Sequence, residues 1–269
     1  MINEQNWSEL GQEFLNGEPF NHIVIDNFFK ADVAEAILQE FPDYDDDAVW
    51  KGDWNNAVEH KRLHNDWDKF GMVTYQAFSY LLSADWISKL SQIVGRDDLV
   101  NDFGLHGGGI HAHTRDGHLN VHMDYSVHPK MKLRRNYNII IYMTPDWSIS
   151  WGGGLGLWSH DPATEQPKEC IKTVDNVYNR AVLFDTTQNS WHGLPDKLTC
   201  PENTVRRSLA AYYLTPDIAG VDPRGKALFA PYKDQVNDPA VLDLIKRRAD
   251  VNAVKELYIK NNGRLHTNY

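Results

Sequence analysis

Only two cysteines, Cys170 and Cys200, occur in 269 residues, and they form no Cys-x-x-Cys pair. That excludes a disulfide framework and a cysteine-rich zinc site. Basic residues are in deficit: 27 Lys and Arg against 37 Asp and Glu leave a net charge of −10. A nucleic-acid binder needs a basic footprint, so no nucleic-acid partner is expected. No apolar run approaches the roughly 18 residues needed to cross a bilayer. The first ten residues are polar, with neither the basic nor the apolar region of a signal peptide. There is no internal repeat and no low-complexity tract. A soluble cytoplasmic protein with no membrane partner is the expectation.

What is present is core-forming material: 42% hydrophobic residues, including nine Trp. The length suits one large β-rich domain with helices, or two small domains. His22 to Phe29 reads as a strand. Ala31 to Phe41 carries Val33, Ile37, Leu38 and Phe41 at helical spacing, and Pro42 stops it. Pro42 to Asp47 is an acidic loop that lacks the glycine and terminal glutamate of an EF-hand. Residues 68–95 hold two helical patterns, the second with Trp86, Ile87, Leu90 and Ile93, ending near Gly95. From Leu99 the texture becomes β-like. Ile110 to His113 leads to a hairpin-like signal at Asp116-Gly117, then to a strand with His122 and Asp124. Lys130 to Arg135 reads as a solvated basic loop, or one that meets an anionic substrate. Tyr137 to Met143, Trp151 to Trp158, Arg180 to Phe184 and Val205 to Leu214 read as strands, with a loop over 159–176. Short strands at this spacing predict a barrel or a double-sheet jelly roll. Pro216 and Pro223 break up a linker-like stretch. Asp238 then caps a helix with Pro239 in its first position, and an apolar pattern continues to Tyr258.

One constellation carries chemistry. His122 and Asp124 alternate on a strand and so share a face. A histidine from a distant strand, His192 in Ser-Trp-His-Gly, completes two imidazoles and one carboxylate. That set forms the facial triad of non-haem Fe(II) oxygenases, which leaves positions open for co-substrate and O2. The next strand offers Arg206 and Ser208 on one face. A 2-oxo diacid such as 2-oxoglutarate chelates iron at one end, and its far carboxylate needs a cationic fork and a further donor. Arg207 is a rival to Arg206, but strand parity with Ser208 favours Arg206.

In this order, His122-x-Asp124, His192 and Arg206-x-Ser208 resemble the Fe(II)/2-oxoglutarate-dependent dioxygenase superfamily, specifically its prolyl-4-hydroxylase-like branch. Trp151-Gly-Gly-Gly-Leu-Gly-Leu-Trp158, Arg206 to Tyr213 and the opening His22 to Phe29 resemble that branch too. The likeness covers roughly residues 20–216. It implies a mainly β fold with flanking helices around a double-stranded β-helix (jelly-roll) core. Residues 1–216 would form the dioxygenase domain, with the core at about 99–216 and helical support at about 20–98. Residues 217–269 would form a C-terminal helical extension.

The resemblance further implies Fe(II) on His122, Asp124 and His192, 2-oxoglutarate on Arg206 and Ser208, and O2 as oxidant. The strand after the His-x-Asp pair lines the co-substrate pocket in relatives. Its inward set here would be Asn138, Ile140 and Tyr142, with the Tyr142 hydroxyl reaching the same carboxylate. His113 and Tyr212 would touch substrate. Because Asp124 keeps its carboxylate, the implied outcome is hydroxylation, desaturation or ring formation, not halogenation. The expected substrate is a small molecule or a peptidyl or amino-acid group. Two departures stand out: glycines at 154 and 156 where many relatives carry acidic residues, and a long loop between His192 and Arg206. Two other classes stay open on the residues alone. One is a cupin-like metalloenzyme using His111 or His113; the other is a non-catalytic jelly-roll binding module. His106, His118 and His128 read as surface groups or groups behind the site.

Overall fold

The computed structural model describes residues 1–221 and 227–250 in full and, beyond them, the backbone of strands Tyr258–Asn261 and Arg264–Thr267. Helices are α1 (Trp7–Leu15), α2 (Ala31–Gln39), α3 (Met72–Leu81), α4 (Ala84–Val94) and α5 (Pro239–Ala249). The N-terminal strands are β1 (His22–Ile25), β2 (Gly52–Asn55), β3 (Glu59–His64), β4 (Val100–Asn101), β5 (Gly109–His113) and β6 (His118–Leu119). The central ones are β7 (His122–Met123), β8 (Arg134–Tyr142), β9 (Leu155–Asp161), β10 (Gln166–Val174), β11 (Ala181–Asp185), β12 (Trp191–Gly193) and β13 (Arg206–Thr215). Last come β14 (Leu228–Phe229), β15 (Tyr258–Asn261) and β16 (Arg264–Thr267). No helix among the described residues is long and apolar enough to cross a membrane.

Two sheets face each other. The larger runs β1-β11-β8-β13-β5-β3-β2-β16-β15, with β4 on β13 and β6 on β3. The smaller runs β10-β9-β12-β7-β14. This is the jelly-roll core with flanking helices. Side-chain parity on β8 and β13 divides its interior. Tyr137, Ile139, Ile141, Leu209, Ala211 and Tyr213 point to the helices and join the main core. Their even-numbered neighbours point between the sheets, where Tyr142 packs with Leu155, Leu157, Val182 and Phe184.

Helix α4 shows how local sequence sets this up. The Ser83 hydroxyl caps it by accepting from the Trp86 N–H at 3.3 Å, and Gly95 ends it at φ +69°. Trp86 is fully buried, and its indole N–H donates to the Tyr213 hydroxyl at 2.6 Å. One bond thus ties the helical layer to the sheet that carries the site. Asp238 caps α5 as its position before Pro239 predicts, accepting from the N–H groups of Ala240 and Val241.

Several expectations are corrected. Asp116-Gly117 does not join a hairpin: β5 and β6 both pair antiparallel with β3, so residues 114–117 are an excursion within one strand path. Residues 159–176 are not a loop. β9 continues to Asp161 and returns as β10, an exposed hairpin whose polar outer residues hide the strand pattern. Arg134 and Arg135 belong to β8 and not to a solvated loop. The apolar pattern after α5 falls at 251–257, outside the described residues, and Tyr258 begins a strand. His118 and His128 are buried, the first bridging the carbonyls of Asp116 and Asn56 at 2.9 Å each.

His64, at the end of β3, has no solvent exposure, and burial pushes its imidazole down to about 4. It is neutral when folded, whereas an unfolded histidine titrates near 6.5. Unfolding therefore takes up a proton between these values, and the stability His64 contributes is lost as pH falls from about 6.5 toward 4. His64→Leu is expected to flatten the pH dependence of the urea-unfolding free energy over pH 5–6 by about 1 kcal/mol per pH unit relative to wild type.

Candidate active site

The sheet registers bring the three metal-type residues together. His122 on β7 is directly opposite His192 on β12. Asp124 lies just past the end of β7, not on the strand, yet its carboxylate comes back to both imidazoles. Its Oδ1 is 3.7 Å from His122 Nε2 and its Oδ2 is 3.8 Å from His192 Nε2. The three ligand-type atoms lie within 4.8 Å of one another, and all three residues are buried. Gly193 permits this closeness, because a Cβ there would fall 2.8 Å from the carbonyl oxygens of Leu119 and Asn120.

Each imidazole is oriented from behind. His122 Nδ1 donates to the Asn120 carbonyl at 2.9 Å, and His192 Nδ1 to the Ser190 carbonyl at 2.8 Å. A carbonyl only accepts, so the proton sits on Nδ1 and each Nε2 presents a lone pair to Asp124. Burial lowers both histidines, His122 to about 3, so both are neutral. Burial would raise Asp124, but the Arg135 guanidinium and the Tyr212 hydroxyl help hold it below the usual carboxylate range. Two lone pairs and a carboxylate converging in a buried site repel one another until a cation sits among them. The donor set fits a divalent ion that takes nitrogen and oxygen. Phe184 and Phe229 pack on the rings of His192 and His122, at centroid distances of 4.7 and 5.1 Å.

The cavity in front holds about 410 Å³, and Asn138, Ile140, Leu155, Ala210 and Tyr212 are in its wall. Parity on β8 puts Asn138 and Ile140 of the expected inward set in this wall, while Tyr142, on the same face, packs farther back with Leu157 and Val182. Arg206 lies behind this wall, buried, its Nε donating to the Gly153 carbonyl at 2.7 Å and its guanidinium over the Tyr142 ring at 5.1 Å. Among the described residues no carboxylate pairs with it, and burial works against its charge. A buried, unpaired guanidinium fits an incoming carboxylate such as the far end of 2-oxoglutarate. Arg207 points the other way, over Phe41. Ser208 is buried between Tyr142 and His111 on the neighbouring strands. The Tyr142 hydroxyl accepts from the Leu155 N–H at 3.1 Å and donates to the Val174 carbonyl at 3.3 Å.

Tyr212 is in the cavity wall, close enough to Asp124 for each to act on the other's ionisation. His113 sits opposite Arg206 on β5, enclosed, with both ring nitrogens unpartnered. His111 faces the cavity, and burial with the nearby Lys61 and Arg206 charges pushes it down to about 3. Neither belongs to the metal-type cluster. Gly154 and Gly156 do not open the cavity. A Cβ on Gly154 would meet the Val174 carbonyl, and one on Gly156 the Trp158 ring. The long 194–204 loop is pinned inward by Leu194, Leu198 and Cys200, which pack with Trp147.

Arg135 was hidden in the sequence. Tyr213 pairs with Tyr137, but Leu214 pairs with Arg135, so a bulge at Asn136 reverses the parity of β8. That turns Arg135 onto the face of Asn138 and Ile140, into the cavity wall. The C-terminal segment is a second contributor no motif announced. β14 pairs Phe229 with His122, and Arg248 of α5 reaches Glu59 at 2.6 Å across the Phe229 ring.

Fold and site together define a jelly roll with a buried His-Asp-His group able to hold a metal ion. Residues 108–214 match the model of the 2OG-Fe(II) oxygenase superfamily. The chain is 30% identical over 84 residues to prolyl 3-hydroxylase OGFOD1 of Mus musculus, covering 31% of this chain and 15% of the mouse protein. It thus spans about a seventh of that relative's length. Among solved structures it resembles a prolyl hydroxylase of Trichoplax adhaerens in complex with a hypoxia-inducible-factor peptide fragment. That match has a TM-score of 0.53 at 17% identity, covering 79% of this chain and 94% of the other. It also resembles a Pseudomonas putida prolyl-4-hydroxylase, with TM-score 0.52 at 16% identity, covering 77% and 98%.

Adding Mn(II) to the apo-protein under reducing conditions is expected to raise its Tm, because a ligand that binds only the folded state stabilises it. Asp124→Ala is expected to abolish the rise; scanning calorimetry of both proteins with and without metal measures this.

Proposed function

We propose that the protein is an Fe(II)- and 2-oxoglutarate-dependent dioxygenase that hydroxylates an unactivated C–H bond and releases succinate and CO2. The observation that carries the reading is the buried, pre-aimed set of His122 Nε2, His192 Nε2 and the Asp124 carboxylate, with an unpaired Arg206 behind the same cavity. His122, Asp124 and His192 hold the iron. Arg206, with Ser208 and Tyr142, takes the far carboxylate of 2-oxoglutarate, and Asn138 lies along its length. Iron and co-substrate supply oxidative decarboxylation coupled to C–H oxidation.

The chain's own work is placement. Asn120 and Ser190 fix the imidazole tautomers through their carbonyls. Arg135, with Tyr212 beside it, keeps Asp124 ionised. Phe184, Phe229 and Leu155 exclude water from the metal face. The substrate belongs to the small-molecule, amino-acid or peptidyl class, at the cavity mouth by Tyr212; His113, enclosed behind Arg206, would act there only through its neighbours. We place residues 1–216 in the dioxygenase domain and 217–269 in a C-terminal extension, of which Phe229 and Arg248 close one side of the site. A cytoplasmic setting suits the two free thiols, Cys170 and Cys200.

The test loads the protein with Fe(II) anaerobically, adds 2-oxoglutarate, admits O2 and measures succinate. Wild type is expected to form succinate slowly even without a second substrate. Asp124→Ala is expected to lose this activity. Arg206→Ala is expected to weaken 2-oxoglutarate binding by about a hundred-fold to a few thousand-fold, the equivalent of about 3–5 kcal/mol for a carboxylate left unpaired in a buried site. Wild type that neither binds 2-oxoglutarate nor turns it over overturns the reading.

A further inference from the structure

We infer that the substrate presents a carboxylate to Arg135, a site that rests on the oxygenase reading and names the substrate class within it. The bulge at Asn136 turns this side chain into the cavity wall, and only 1% of it is exposed. Its guanidinium is held between two rings, 3.8 Å from the Tyr125 centroid and 3.5 Å from that of Tyr212. Both faces of the cation are therefore used, and its plane is fixed. What is left is the edge, where a planar oxyanion binds. Nε and Nη1 have no hydrogen-bond partner, and Nη2 reaches only the His106 carbonyl, at 3.5 Å. Among the described residues no carboxylate lies within ion-pair distance of it; burial works against its charge, and Tyr125, Tyr212 and the more distant Asp124 and Asp102 offset that, without supplying its N–H groups with acceptors. A buried guanidinium left this way is costly, and a ligand oxyanion removes the cost.

Charge counting agrees. Among the described residues the cavity wall carries Lys51, Lys61, Arg135 and Arg248 against Glu59 and Asp124, a net of +2 inside a chain of −10. Iron (+2), 2-oxoglutarate (−2) and Arg206 (+1) add one more positive charge to that wall, so metal and co-substrate do not neutralise it, and a substrate carboxylate beside Arg135 lowers the excess. The same field attracts anions to the cavity of an otherwise acidic protein. The alternative role for Arg135 is only to balance Asp124, and the test separates the two.

The carboxylate can come from a free amino acid or from the C-terminus of a peptide. The probes are the twenty L-amino acids, their carboxamides, and the matching Gly-X dipeptides with free C-termini. Each is titrated anaerobically into the full chain loaded with Mn(II) and saturating 2-oxoglutarate, with Kd read by calorimetry. At least one acid is expected to bind ten-fold or more tighter than its carboxamide, and Arg135→Lys to shrink that ratio below about three-fold. Tight binding confined to free amino acids or to dipeptides identifies the source. The inference is overturned if no acid exceeds its amide in wild type, a comparison that needs no variant to fold. It is equally overturned if Arg135→Lys weakens acid and amide alike, which assigns the arginine to Asp124. Succinate formed by wild type without any probe reports the oxygenase reading separately.

Discussion

Two backbone carbonyls decide what this site can do. By accepting from Nδ1, the carbonyls of Asn120 and Ser190 put the proton of each imidazole on the far side from Asp124. Three electron-rich atoms then converge in a buried site. Protonating a histidine would relieve the repulsion, but burial opposes it. A metal cation relieves it without that penalty. The selectivity of the triad for a cation thus comes from hydrogen bonds one residue layer back, as in oriented metal ligands generally.

The second constraint is the wall formed by β8 and β13. One face of the pair meets the helices through Tyr213 and Trp86, and the other meets the cavity. The helical layer therefore does not touch the chemistry, yet it sets the curvature and register on which the cavity depends. A slip of one residue would exchange the two faces and put Arg206 and Asn138 into the main core. The bulge at Asn136 is the single place where this alternation is broken, and it is where the wall gains a cation.

Whereas His122, Asp124 and His192 meet through the pairing of β7 with β12 and a carboxylate just past the strand, the facing of Asn138 and Ile140 into the cavity and the turning of Arg206 and Arg207 to opposite sides were legible in the sequence because they rest on period-2 alternation. Arg135 was not, because a bulge reverses the parity without leaving a glycine or proline to mark it. The β9–β10 hairpin was hidden by its exposure, since only alternating burial gives a strand its apolar signature. β5 and β6 misled for the opposite reason. Asp116-Gly117 carries the chemistry of a hairpin turn, with Asp116 at φ +62°, but the strands on either side share β3 as their partner and not each other. Which strands pair is a long-range fact that a local turn signal does not contain.

The role of the C-terminal segment follows from the same reasoning. Phe229 stacks on His122, Arg248 covers Phe229, and Glu59 holds Arg248 from the opposite sheet. Glu59 is fully buried; burial raises it, but Arg248 and Lys61 bring it below its usual range, so the pair is ionised. Breaking it from either side would leave a charge buried alone, a loss of about 3–5 kcal/mol. The segment is thereby bound to the site it covers. This matters because the site itself works against folding: it gathers a repelling ligand set and two buried guanidinium groups without carboxylate partners. The scaffold has to supply that stability elsewhere, and the ligands return it when they bind.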